Sequence, residues 1–222
     1  MTEPLNFDSI DLDALLGGWV RELGTQGVEA VVVLGPCLLG ARERREVLAV
    51  HPPRLLPAAQ ALADSDDFGS RWHDSDAPLA VWQTLAPHAD GEPGHWGSQW
   101  RAQGQQALLR VAFALPASRA FECFLFSPDG GAPAQQAAAL AWSVFTVWPR
   151  LRRALAAQRL NLTAREQESL RLAFEGLTAR ETAQRLGCSE RTVNFHLTNA
   201  MAKLRTDSKL AAVQRACWLG VV

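Results

Sequence analysis

The chain has 222 residues, 48% hydrophobic and 20% charged, with 22 Lys plus Arg against 23 Asp plus Glu and a net charge of −1. That apolar content excludes a disordered chain, and the length suits two domains. No apolar run is long enough to span a bilayer and the four cysteines, Cys37, Cys123, Cys188 and Cys217, have no paired spacing, so a cytoplasmic protein with free thiols is expected rather than a membrane protein or a disulfide scaffold.

In chain order, residues 8–25 read as a helix, with Leu12, Leu15, Leu16, Trp19 and Leu23 on one face. Strands are predicted over Glu29–Leu34, Glu46–Val50, Ala107–Leu115 and Ala120–Ser127, and Pro116–Arg119 joins the last two as a hairpin. The Gly, Pro and His content of Pro87–Gly97 predicts an exposed loop. Ala134–Arg159 is a long Ala-rich helix carrying Leu140, Val144, Val147 and Leu151 along one stripe. Helices around an antiparallel sheet make residues 1–159 an α/β/α sandwich, and Leu160–Asn161 a short linker to residues 160–222. The chain as a whole is then α+β.

The remaining segment reads as an all-α domain of four helices. Thr163 caps a helix start with Glu166 as its capping-box partner, and the same tetrapeptide, Thr-Ala-Arg-Glu, opens a second helix at Thr178–Glu181. Leu186-Gly187-Cys188-Ser189 is a tight turn: Gly187 ends one helix in the left-handed conformation and Ser189 caps the next. Two helices joined this way make a helix-turn-helix. In the second, Val193, Leu197, Ala200 and Leu204 form an inward stripe, while Arg191, Asn194, Phe195, Thr198 and Ala202 face outward. Those types suit a major groove: Arg pairs with guanine, Asn with adenine, and Phe or Thr touches a thymine methyl. His196, Lys203 and Lys209 are placed where phosphates run, and Ser189 and Thr192 at the helix start complete the expected DNA-binding set. From Arg159 onward ten basic residues stand against six acidic ones, a net +4 that leaves −5 for the rest. So modest an excess predicts a homodimer on a pseudopalindromic duplex site.

Residues 162–222 resemble the C-terminal DNA-binding domain of LuxR-type regulators. The resemblance rests on Leu162-Thr163, Arg165-Glu166, Leu170, Gly176, Ala183, Leu186-Gly187, Ser189, Arg191-Thr192-Val193, His196-Leu197 and Lys203-Leu204. One departure is Thr182, where the family has an apolar residue. The N-terminal layout resembles the acyl-homoserine-lactone-binding domain of quorum-sensing members. Pro78-Leu-Ala-Val-Trp82 is similar to the family's Pro-x-x-x-Trp segment, and Asp67 precedes Trp82 by the spacing of the family's pocket Asp and Trp. The resemblance implies a lactone held by its amide N–H on Asp67 and its ring carbonyl on the Trp82 indole, with Trp96 nearby. Four positions depart from the pattern: Arg54 and Ala58 replace a Trp and a Tyr, Phe68 replaces a Pro, and Leu108 falls near a glycine position. A pocket without those groups suits a different small apolar ligand, or none. No cofactor is implied.

Other classes fit poorly. A response regulator needs a phosphoacceptor Asp after its central strand and a Lys after a late one, but no acid follows Val31–Gly35 and no Lys precedes Lys203. There is no phosphate-binding Gly loop, nucleophile elbow or Cys/His dyad, so no enzyme is expected. His73, Asp74, Asp76, His88 and His95 match no metal-ligand spacing, so no metal is expected either.

Overall fold

The computed structural model describes residues 11–36, 45–65, 80–85, 95–115 and 119–222. They form two compact units. Within residues 13–148, helix α1 (Leu12–Gly24) leads into strands β1 (Ala30–Pro36) and β2 (Arg45–His51). A short turn at Pro53–Leu55 opens α2 (Leu56–Asp64), followed by β3 (Ala80–Thr84), α3 (Trp96–Ala102), β4 (Ala107–Leu115) and β5 (Arg119–Ser127). The expected hairpin is present: β4 and β5 pair from Ala107↔Ser127 to Leu115↔Arg119.

The five strands form one antiparallel sheet in the order β2-β1-β5-β4-β3. Strand periodicity sends alternate residues to opposite faces. One face presents Val32, Leu34, Leu108, Phe124 and Phe126, which pack under α2 and α3 through Ala59, Leu62, Trp96 and Trp100. The other presents Phe113 and Phe121, on which Trp148 of the long helix α4 (Ala134–Leu160) lies at 4.2 and 5.2 Å between ring centroids. The Trp19 indole donates to Ser143 Oγ at 2.9 Å and ties α1 to α4 on that side. The unit is therefore the expected sandwich.

Two short helices are additions to the sequence reading. Leu55, Ala58, Ala59 and Leu62 bury one side of α2, yet its nine residues and Ala-rich composition give little periodicity. In α3, Trp96 and Gly97 are buried helical residues, which corrects the tail of the expected exposed loop; positions 87–94 lie outside the described residues. Strand β3 was legible only as a motif, because half of it is exposed.

The second unit contains Pro149–Val222. The compact units divide inside α4, ahead of the short linker at its end. Pro149 stands at that division and lacks the N–H that an interior helical residue donates. The last three turns of α4 belong with α5 (Ala164–Phe174), α6 (Ala179–Leu186), α7 (Glu190–Lys203) and α8 (Lys209–Trp218). Leu151, Ala154 and Leu155 are fully buried. Arg152 lies against Gly220, whose φ of +67° follows α8, and a Cβ there would meet Arg152 Nε at 2.5 Å. No helix among the described residues is long and apolar enough to cross a membrane.

Candidate nucleic-acid interface

Both expected capping boxes are present. Thr163 Oγ1 accepts from the Glu166 N–H at 3.3 Å, and Glu166 Oε2 accepts from the Thr163 N–H at 2.8 Å. Thr178 and Glu181 repeat the pair at 3.3 and 2.8 Å. Gly187 ends α6 at φ +66°, ψ +38°, its N–H bonded to the Ala183 carbonyl. That conformation costs a residue with a Cβ roughly 1 kcal/mol or more, which is why glycine stands at the turn. Ser189 then caps α7, accepting from the Thr192 N–H at 3.1 Å, and its hydroxyl meets Thr192 Oγ1 at 2.8 Å.

Helix α7 has the two expected faces. Val193, Ala200 and Leu204 are fully buried and Leu197 nearly so. Arg191, Asn194, Phe195, Thr198 and Ala202 are exposed on the other side. Phe195 keeps 61% of its surface in solvent, which no core role explains. Thr192 and His196 are half-buried at its margins, and the His196 ring lies 6.0 Å from that of Phe195. Thr182 is buried beside Ala183 in α6, so the departure from an apolar residue falls on the scaffold side.

The two lysines differ from the simple expectation. Lys209 opens α8 on the surface, its Nζ 3.4 Å from the Leu177 carbonyl. Lys203 Nζ instead donates to Glu166 Oε2 and to the Asn161 carbonyl, both at 2.8 Å. Two of its ammonium donors thus face the start of α5. Glu166 is only 3% exposed. Burial works against its charge, but the Lys203 ammonium and the Thr163 N–H outweigh it and hold the carboxyl below the usual carboxylate range.

Of the three residues expected at a ligand in the sandwich unit, Trp82 and Trp96 are among the described residues. Asp67 and Phe68 lie outside the described residues. Trp96 is buried under the α2 and α3 face. Trp82 pairs with Leu109 in β3–β4 register, whereas Gln83 pairs with Leu108 of the α2 and α3 face. Trp82 therefore belongs to the opposite face from Trp96, and its buried indole N–H meets no acceptor among the described residues.

Residues beyond the sequence reading occupy the α2 and α3 face. Trp100 stacks on Phe126 at 3.6 Å between centroids, and its indole donates to the Ala58 carbonyl at 3.2 Å. Leu108, at the position near the family glycine, is fully buried in the same cluster. Arg110 Nε donates to Glu122 Oε1 at 2.7 Å, and Arg45 approaches Glu122 Oε2 at 3.4 Å while also donating to the Ser65 carbonyl. A cation inside the apolar β4 and an acid inside the apolar run Ala120–Phe126 of β5 were the signal that could have revealed the Arg110–Glu122 pair.

Comparison with known proteins bears on both units. Residues 160–216 match the family model of bacterial regulatory proteins, luxR family. The transcriptional activator protein AnoR of Acinetobacter nosocomialis is 52% identical over 63 residues, 28% of this chain and 26% of AnoR. SolR of Ralstonia nicotianae, also a transcriptional activator protein, is 38% identical over 125 residues, 56% of this chain and 51% of SolR. The match thus spans from a quarter to about half the length of these relatives. Among solved structures, Escherichia coli SdiA superposes with a TM-score of 0.50 at 17% identity, covering 96% of this chain and 93% of SdiA, a likeness of fold.

Proposed function

We propose, from a chain whose residues 160–216 belong to the luxR family of bacterial regulatory proteins, that the protein is a transcriptional regulator that reads a duplex site with α7. The observation that carries this reading is the outward face of α7, where Arg191, Asn194, Phe195 and Thr198 are exposed on a helix fixed by its cap and its buried stripe. Arg191, Asn194 and Thr198 read base edges, Phe195 covers a thymine methyl, and Ser189, Thr192, His196 and Lys209 meet phosphates. Selection of duplexes from a random pool by the full chain, followed by a gel shift, tests it. An enriched half-site is the expected result, and uniform weak binding to every duplex overturns the reading.

The protein acts as a homodimer. Supporting this is an exposed apolar stripe on α4: Ala138, Trp142, Phe145 and Pro149, with Trp142 keeping 74% of its surface in solvent. No charged residue occurs from Ala134 to Trp148. Two copies of such a stripe meet without like-charge repulsion, with alanines receiving the tryptophan. Two recognition helices then address half-sites about one helical turn apart.

For the sandwich unit, the filling of the α2 and α3 face favours a domain that folds without an acyl-homoserine lactone. Leu108 and the Trp100–Phe126 stack are buried on that face, and the Trp100 N–H is already satisfied by Ala58. A lactone or another small apolar ligand remains the competing reading, and thermal melts with lactones of varied chain length discriminate between them.

A further inference from the structure

We infer that Lys203 is a positioning residue for base reading: with Glu166 and the Asn161 carbonyl it clamps the segment ahead of α5 to the last turn of the recognition helix. The inference rests on the DNA-binding reading above.

The chain supplies its own control. The tetrapeptide Thr-Ala-Arg-Glu occurs twice and forms the same capping box twice, at Thr163–Glu166 and Thr178–Glu181. Glu181 does its capping from an exposed position. Capping therefore requires neither burial nor a basic partner. Glu166 has both: it is 3% exposed, and Lys203 reaches it across 37 positions of sequence at 2.8 Å. A lysine in the last turn of a helix is already favoured by the carbonyls of that turn. Two of the three donors of the Lys203 ammonium are instead spent on another element, and one of them holds the carbonyl of Asn161, whose own φ is +46°.

The geometry has a consequence for reading. The N-terminal end of α7 is fixed by the Gly187–Ser189 turn and its far end by buried Ala200 and Leu204, by Arg215 on the Leu204 carbonyl and by Lys203, so loosening the last of these lets the helix tilt about its capped end. Thr198 lies about 13 Å along the axis from Ser189, so a tilt of about 5° moves it by roughly 1 Å. Base contacts tolerate about half that. Holding the C-terminal turn of α7 is therefore part of sequence reading, although Lys203 touches no base.

The test uses the full chain on a duplex that it selects from a random pool, with affinities measured over a salt series for Lys203→Met, Lys203→Arg, Glu166→Gln, the double variant Lys203→Met/Glu166→Gln and Glu181→Gln. Hydrogen exchange of the Thr163 amide is followed in each. The clamp predicts about a tenfold loss of affinity in Lys203→Met with an unchanged salt slope, a similar loss in Glu166→Gln, and no further loss in the double variant. Lys203→Arg recovers most of the affinity. Thr163 exchange quickens in Lys203→Met and Glu166→Gln but not in Glu181→Gln. A salt slope lower by about one unit in Lys203→Met, with Glu166→Gln neutral, is the signature of a phosphate contact and overturns the clamp. Additive losses overturn it as well. If Lys203→Met does not fold, the Glu166→Gln and Lys203→Arg arms decide alone: a neutral Glu166→Gln overturns the clamp. Absence of sequence-specific binding by the unsubstituted chain overturns the DNA-binding reading itself, a separate result from any of these.

Discussion

Under the proposed reading, Asn194 bears most directly on specificity at the scale of single residues. It is exposed on α7 one turn past the capped end, and a carboxamide is the side chain that pairs bidentately with adenine. Asn194→Ala should cost about 1–3 kcal/mol on the selected site and relax preference at one base position. Equal weakening on every sequence, seen by competition with shuffled duplexes, would show a phosphate role instead. Glu166 gives a second expectation. Its folded carboxyl titrates below the unfolded one, so the stability it contributes is present in full above the unfolded value of about 4.3 and is lost as pH falls through the lower folded value. Acid unfolding of Glu166→Gln should therefore be less steep than that of the unsubstituted chain. Equal steepness would mean that Glu166 is not held as a carboxylate. Most of the α7 face was legible in the sequence, because exposure follows from helical period alone. Lys203 was not: the period placed it at the edge of the groove face, but its partner is 37 positions away, on an element whose approach no local pattern encodes.

The elements divide along the same line. Those whose signals are local, the capped α5, α6 and α7 and the β4–β5 hairpin, matched the sequence reading closely. Helices α2 and α3 were missed because nine and seven residues supply too few turns for a periodicity, and their burial is decided by the sheet beneath them. Trp82 was read from a motif, and a motif carries no register. In a strand, a shift of one residue exchanges faces, and the pairing of Trp82 with Leu109 sends it away from the face that holds Trp96. Leu108 on the adjoining strand tests the packing of that face. It is fully buried among Phe126, Trp100 and their neighbours, so Leu108→Ala should destabilise the sandwich by about 2–5 kcal/mol in denaturant unfolding. A change below about 1 kcal/mol would mean that the face is loosely filled, with room for a ligand.

For the whole molecule, the distribution of apolar surface bears on both the proposed dimer and the proposed ligand independence. The α4 stripe leaves Trp142 and Phe145 exposed, whereas the described residues of the α2 and α3 face, Leu108 and Trp100 among them, are buried in one cluster. If the proposed dimer forms through this stripe, Trp142→Glu places two carboxylates in the contact and should leave the protein monomeric in sedimentation at micromolar concentration, with the selected site bound far more weakly. An unchanged dimer would locate the interface elsewhere. The last expectation concerns the ligand. A domain whose core is completed by a small molecule folds poorly without it, since an empty cavity forfeits both transfer energy and contacts. In this chain Leu108 is buried near the expected glycine position, the Ala58 carbonyl accepts from the Trp100 indole, and Trp100 stacks on Phe126, which supports the proposal of a core that packs without a ligand. The full chain should therefore be soluble and competent for DNA when produced without any lactone. Acyl-homoserine lactones at saturating concentration should leave its melting temperature within about 1 °C, where a ligand at a hundred times its dissociation constant contributes about 2.7 kcal/mol and several degrees. Soluble protein only in the presence of a lactone, with rescue at low micromolar concentration, would show that the filling of this face is incomplete and return Asp67 and Trp82 to ligand-anchoring roles.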